Sequence, residues 1–222
     1  MGDPFEGAAL PSAGKQAPQP DALPVSRLDA AQVPLAHRFD AWHEACAPLF
    51  DSTCLGDPRR FDVGAISYLV DRLVFTRVHF ERMHFSRGVP HLSNGESDCI
   101  SVQYYRRGSI TGRLDDGTPL HMAPDRVSVH DFAHAYTGVG ETTENFGVII
   151  PRHLLTGHDH IYRHRPMFSW SLDSPQGRLL TSALAAIWRE LPLATQSEST
   201  AIASGFVGLV NGLLAAEPAS DD

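Results

Sequence analysis

Residues 98–131 of the chain read DCISVQYYRRGSITGRLDDGTPLHMAPDRVSVHD. Short runs of Val, Ile, Leu and Tyr alternate there with clusters of Gly, Asp and Pro, which is the composition of strands broken by reversals. At the centre, Leu114, Asp115, Asp116, Gly117 and Thr118 form a hairpin signal, because Asp-Gly accepts the positive φ values that a tight reversal demands. Working outward, the same texture extends from Val63 to Ile150. It predicts strands at Val63–Val70, Leu73–Phe80, Asp98–Tyr105, Ser109–Leu114, Arg126–His130 and Asn145–Ile150, with a further one at Arg82–Ser86. No helical pattern is interleaved, so an antiparallel barrel or sandwich is expected rather than a parallel α/β sheet.

The flanks differ. Residues 1–24 are rich in Ala, Gly and Pro and read as a disordered leader, having too few large apolar side chains to offset the entropy of ordering. From Ala36 to Phe50, Phe39, Trp42, Cys46, Leu49 and Phe50 recur at helical spacing and predict an amphipathic helix ending near Pro48. Beyond Pro151 two more helices are expected. Ser174 and Pro175 make a cap and first turn, followed by the stripe Leu180, Leu184, Ile187, Trp188 and Leu191. A second stripe, Ile202, Phe206, Leu209, Val210, Leu213 and Leu214, completes an antiparallel pair. Gly205, Gly208 and Gly212 cost that last helix about 1 kcal/mol each relative to Ala. Close packing against a neighbour or a partner subunit would compensate, and Leu184, Trp188, Phe206, Leu209 and Leu213 are the candidate dimerisation residues. The reading divides the chain into the leader (1–24), a sensing unit with its N-terminal helix (25–156) and a helical dimerisation or linker region (157–216).

Composition narrows the function. The 222 residues carry a formal net charge of -8, which argues against a nucleic-acid surface, since Lys and Arg supply most non-specific affinity for phosphate. Lys15 is the sole lysine, so Schiff-base chemistry is excluded. No run of about 18 apolar residues predicts a membrane span, and a secretory signal is not expected, because residues 1–24 show no basic patch followed by an apolar core. Cys46, Cys54 and Cys99 are odd in number and widely spaced, which fits a reducing cytoplasm. Among the 12 histidines, the one His-x-His (His158, His160) falls after Pro151 in a loop-like stretch, and His130 and His134 have helical spacing in a segment that reads as strand and turn. Neither metal nor other cofactor is therefore expected. Gly-x-Ser-x-Gly, P-loop and Gly-x-Gly-x-x-Gly patterns are all missing, and Cys99 reads as a small buried hydrophobe, so no catalytic residue is assigned.

The block from Phe85 to Leu155 resembles the ligand-binding domain of AraC/XylS-type transcription regulators. The resemblance rests on Arg87 after a β-run, the CISVQYYRRGSITGRLDDG strand pair with Gly108 at its turn, LHMAPDRVSVHD, and VIIPRHLL where strands give way to helices. It covers the chain from about Arg27 onward, departing where Ala123, Pro124 and Asp125 run together without the family's usual intervening Gly. The resemblance implies a mainly β fold with α, a cupin-like antiparallel β-barrel of the double-stranded β-helix type. It also implies a small-molecule effector in the barrel, a homodimer through the C-terminal helices, and DNA binding only through a helix-turn-helix domain absent from this chain. An organic-acid effector would need counter-ions, for which Arg87 and Arg113 are candidates. Tyr104, His130, Arg77 and His79 are the remaining ligand-binding candidates. Alternation puts Ile100, Val102 and Tyr104 on one face and Cys99, Ser101, Gln103 and Tyr105 on the other, with Arg77 and His79 opposite Thr76, Val78 and Phe80. Which face turns inward stays open at this level. A small cupin-type enzyme, an isomerase or dioxygenase, is the alternative, and a barrel filled with its own side chains is a third reading.

Overall fold

The computed structural model describes Phe5, residues 21–93, 98–157, Ile161 and residues 165–217. Strand β1 (Val25–Asp29) precedes helix α1 (Arg38–Cys46), which leads into β2 (Asp51–Cys54), β3 (Val63–Val70), β4 (Leu73–Phe80) and β5 (Met83–Arg87). After the short α2 (Val89–Leu92) come β6 (Cys99–Arg107), β7 (Ile110–Leu114), β8 (Pro119–Met122), β9 (Arg126–Asp131), β10 (Tyr136–Gly140), β11 (Thr143–Pro151) and β12 (Met167–Ser171). Helices α3 (Pro175–Glu190) and α4 (Gln196–Ala215) close the described chain.

The strands form two antiparallel sheets, one of seven in the order β1-β3-β4-β11-β6-β9-β12 and one of five in the order β2-β5-β10-β7-β8. Among the described residues no ladder joins them, so the closed ring of a barrel is not what the hydrogen bonding shows. The Asp-Gly signal does make the β7–β8 hairpin. Gly117 takes φ +87°, and the Leu114 N–H donates to the Thr118 carbonyl at 2.9 Å. Gly108 works differently from the strand-pair expectation. At φ +71° it turns the chain out of the larger sheet into the smaller, so β6 pairs with β11 and β9 while β7 pairs with β10 and β8.

Each sheet strand offers one face to the interior and one to the outside, and the outer face of the larger sheet is apolar where α3 and α4 cover it. Tyr68, Phe75, Ile100, Val102, Val127, Phe146 and Val148 lie buried there beneath α3 and α4. Edge-to-face ring pairs join sheet to helices: Tyr68 to Trp188 at 5.7 Å, Phe75 to Phe206 at 5.4 Å, and Phe146 to Trp188 at 5.5 Å between centroids. The Ser174 hydroxyl accepts the Gly177 N–H at 3.1 Å and starts α3 as the Ser-Pro pattern predicts, while Thr195 and Glu198 form a capping box on α4.

Leu184, Trp188, Phe206 and Leu213, the candidate dimerisation residues, are buried in this core, and Leu209 packs partly against it. The stripes satisfy the chain's own sheet first. Nothing lies within 4 Å of a Cβ built at Gly205, Gly208 or Gly212, so no close approach among the described residues accounts for these glycines. By length and composition α4 would be apolar enough to cross a bilayer, at mean hydropathy 1.2; its apolar residues are interrupted by Ser, Gly and Asn, which is why no unbroken run appears in the sequence. Most of the leader lies outside the described residues. Phe5 is 1 % exposed, stacked on Phe146 at 3.9 Å and Tyr104 at 5.2 Å, and residue 21 onward is tied down, with the Asp21 carbonyl accepting the Gln196 N–H.

Candidate functional site

Between the two sheets lies a cavity of about 360 Å³, a size that suits a small molecule. Its wall on the larger sheet is the inward register of β4, β6, β9 and β11: Thr76, Val78 and Phe80, then Ser101, Gln103 and Tyr105, then His130, then Asn145 and Ile149. The smaller sheet supplies Phe85, Ile110, Leu120, Met122 and Tyr136, and α1 with the segment after it supplies Trp42, Ala45, Cys46, Leu49 and Phe50. Three wall residues, Ser26, Arg27 and Ala45, are exposed, which places the mouth between β1 and α1.

The polar groups of β6 satisfy one another. The Tyr105 hydroxyl donates to Gln103 Oε1 at 2.7 Å, and Gln103 Nε2 donates to Ser101 Oγ at 2.8 Å. Two other polar atoms of the wall are left over. Trp42 Nε1 and His130 Nε2 are fully buried and have no hydrogen-bond partner among the described residues. Burial, reinforced by the nearby Arg87 guanidinium, pushes the His130 imidazole down to about 3, so it is neutral at physiological pH. Burial likewise pushes the Cys46 thiol up to about 12 and raises the Tyr105 and Tyr136 hydroxyls. The wall is therefore uncharged in its interior. Arg27, on the alternate register between Ser26 and Leu28, lies beside Tyr68 of the outer face, where its guanidinium opposes the burial that raises that hydroxyl.

A family model for the AraC-binding-like domain matches residues 40–215, which is most of the chain. The chain belongs to the AraC-binding-like domain family. Its coarse function goes with that membership, the ligand-binding domain of a transcription regulator. Among solved structures it is similar to the AraC-like transcriptional activator CuxR, with TM-score 0.76 and 18% identity over 90% of this chain and 73% of that one, a likeness of fold. An apo ToxT variant from Vibrio cholerae (TM-score 0.41, 11% identity, 68% of this chain and 59% of that one) and YlbA from E. coli (0.33, 14%, 57% and 46%) are too remote to argue from. No characterised protein sequence matches the chain.

In this AraC-binding-like domain, of the six residues singled out as ligand candidates, His130 lines the cavity and the others do not. Tyr104 faces outward beneath the helices, against Phe5, and its neighbour Tyr105 takes the inward place. Arg77 is also on the outer face, where it is paired with Glu144 at 2.6 Å and lies over the Phe146 ring. His79 stands beside Asp62 at 3.8 Å. Arg113 is exposed on β7, where it donates to the Gly117 carbonyl. Arg87 is buried just behind the wall, donating to the carbonyls of Phe132 (2.9 Å) and Leu49, and so ties the end of β5 to the segment that follows α1. It is a strut for the roof of the cavity. His158 and His160 lie outside the described residues, and among the described residues no three His, Cys, Asp or Glu side chains gather as a metal would need. Trp42, Gln103, Tyr105, Tyr136 and Asn145 are the wall residues that sequence reasoning passed over. The signal for three of them was present in β6 and β11, as neutral polar residues at alternate positions of otherwise apolar strands.

Proposed function

We propose that this domain receives a small-molecule effector in the cavity between its sheets and passes the signal through α3 and α4 to a DNA-binding domain of the complete regulator. The observation that carries this reading is that the cavity wall and the helix seat are two faces of the same strands. Ser101, Gln103 and Tyr105 of β6 face the cavity, and Ile100, Val102 and Tyr104 face the helical core. A ligand that prefers one seating of the larger sheet would thereby prefer one seating of the helices, which is the differential contact that coupling requires. The sensing unit is taken as residues 25–156 and the dimerisation or linker region as 157–216, which also lends β12 to the larger sheet, in a cytoplasmic homodimer joined through the exposed faces of α3 and α4, with Leu179 on α3 and Leu193 in the turn between the helices.

A thermal-shift screen tests it, using wild type and Ala45→Trp, which narrows the mouth at an exposed helical position. An effector raises the melting temperature in step with its concentration in wild type and much less in A45W. Silence across a broad set of small molecules, or shifts that A45W leaves untouched, would remove the cavity from the reading.

A further inference from the structure

We propose that the cavity takes an uncharged, largely apolar ligand, a ring compound of small-molecule size, whose polar group bonds the Trp42 indole N–H and the His130 imidazole. This rests on the cavity being the effector site. Three observations converge on it. First, among the described residues the only charged member of the wall is Arg27, exposed at the mouth with its guanidinium beside Tyr68. A carboxylate or ammonium drawn inside would lose its hydration with no charged side chain of the inner wall to bond it, since Arg87, behind the wall, gives its N–H groups to the Phe132 and Leu49 carbonyls. Second, the Ser101, Gln103 and Tyr105 side chains are committed to one another, whereas Trp42 Nε1 and His130 Nε2 are buried without partners among the described residues. Buried polar atoms are nearly always bonded, so these two mark where a ligand's own polar group completes the site. Trp42 Nε1 can only donate, so the ligand must bring an acceptor such as a ketone, ester or ether oxygen. Third, Phe50, Phe80, Phe85 and Tyr136 offer ring surface from both sheets and the roof, which suits an aromatic or alicyclic skeleton.

This differs from an organic-acid effector held by arginines, and a matched series separates the two. The neutral fluorophore N-phenyl-1-naphthylamine serves as the probe, displaced by 2-acetylnaphthalene, by 2-ethylnaphthalene of the same shape without the acceptor, and by 2-naphthoate. The ketone is expected to displace it about five- to tenfold more effectively than the hydrocarbon. Naphthoate should be at least about tenfold weaker than the ketone. Trp42→Phe should bring the ketone down to the level of the hydrocarbon while circular dichroism shows the fold retained, and His130→Phe tests the second partner in the same way. Naphthoate binding as well as the ketone would overturn the uncharged class, and a ketone preference that survives in both W42F and H130F would overturn the assigned partners. A probe that gains no fluorescence, or gains it equally in A45W and in the cavity-filling Ala65→Phe, would overturn the cavity reading itself and this inference with it.

Discussion

His130 and Tyr136 meet edge to face, 4.9 Å between ring centroids, across the space between the two sheets: His130 belongs to β9 of the larger sheet and Tyr136 to β10 of the smaller. The contact bridges the sheets where no ladder does, and the imidazole in it is neutral, since burial and Arg87 hold the ring at about 3 against an ordinary 6.5. Between those two pH values the unfolded chain binds a proton that the folded chain does not. Stability should therefore fall as pH drops from about 6.5 toward 3, by up to roughly 1.4 kcal/mol per pH unit from this one group. Denaturant unfolding from pH 4 to 7 should show that slope in wild type and a shallower one in His130→Phe. A difference between the two proteins that does not change with pH would mean that His130 titrates normally.

Arg87 carries a second expectation. Its guanidinium gives hydrogen bonds to the Phe132 and Leu49 carbonyls and lies over the Phe132 ring, so it fastens the roof of the cavity from behind. Arg87→Met keeps the volume and leaves those carbonyls without their charged donor. The loss should be about 2–4 kcal/mol. Hydrogen exchange should rise over residues 38–50 and at Phe132 more than over α3 and α4. Loosening spread evenly over the chain would show that Arg87 supports the core generally rather than the roof.

Local pattern and long-range placement were unequally legible. Val63–Val70 and Leu73–Phe80 read correctly because both are unbroken β-type runs bounded by turn residues, and the Asp116-Gly117 reversal followed from its own chemistry. β10, with Gly138 and Gly140 in five residues, and β8, which begins at Pro119, carry almost no intrinsic strand preference; they exist because each is paired with a neighbouring strand of the smaller sheet. The faces were harder still. Alternation separates Tyr104 from Tyr105 with certainty, yet whether the apolar face of β6 lines a pocket or sits beneath helices depends on where α3 and α4 dock, some seventy residues on. Arg77 shows the same limit from the other side. The charge does avoid the cavity, but it is 12 % exposed and bound to Glu144 rather than solvated, because β11 brings that carboxylate alongside. Trp42 was recognised as helical and apolar, while its unpartnered indole N–H is a property of what surrounds it.

The glycines of the two C-terminal helices yield opposite expectations for one substitution. At Gly177 in the first turn of α3, a Cβ would press into the Ser171 carbonyl and approach the Trp170 carbonyl at 3.2 Å, the backbone of β12 on which the helix rests. Gly177→Ala should thus destabilise by about 1–3 kcal/mol, although alanine is the better helix former. Gly205, Gly208 and Gly212 face open space, and Ala at each should stabilise the single chain by up to about 1 kcal/mol. Such a cost has no return inside the described chain, so a second copy resting on this face would supply one. The triple variant G205A/G208A/G212A is then expected to raise the unfolding midpoint of dilute protein while weakening self-association in sedimentation runs. Self-association that is unchanged beside a raised midpoint would remove the glycine face of α4 from the proposed dimer and leave the exposed surface of α3 as the place to look.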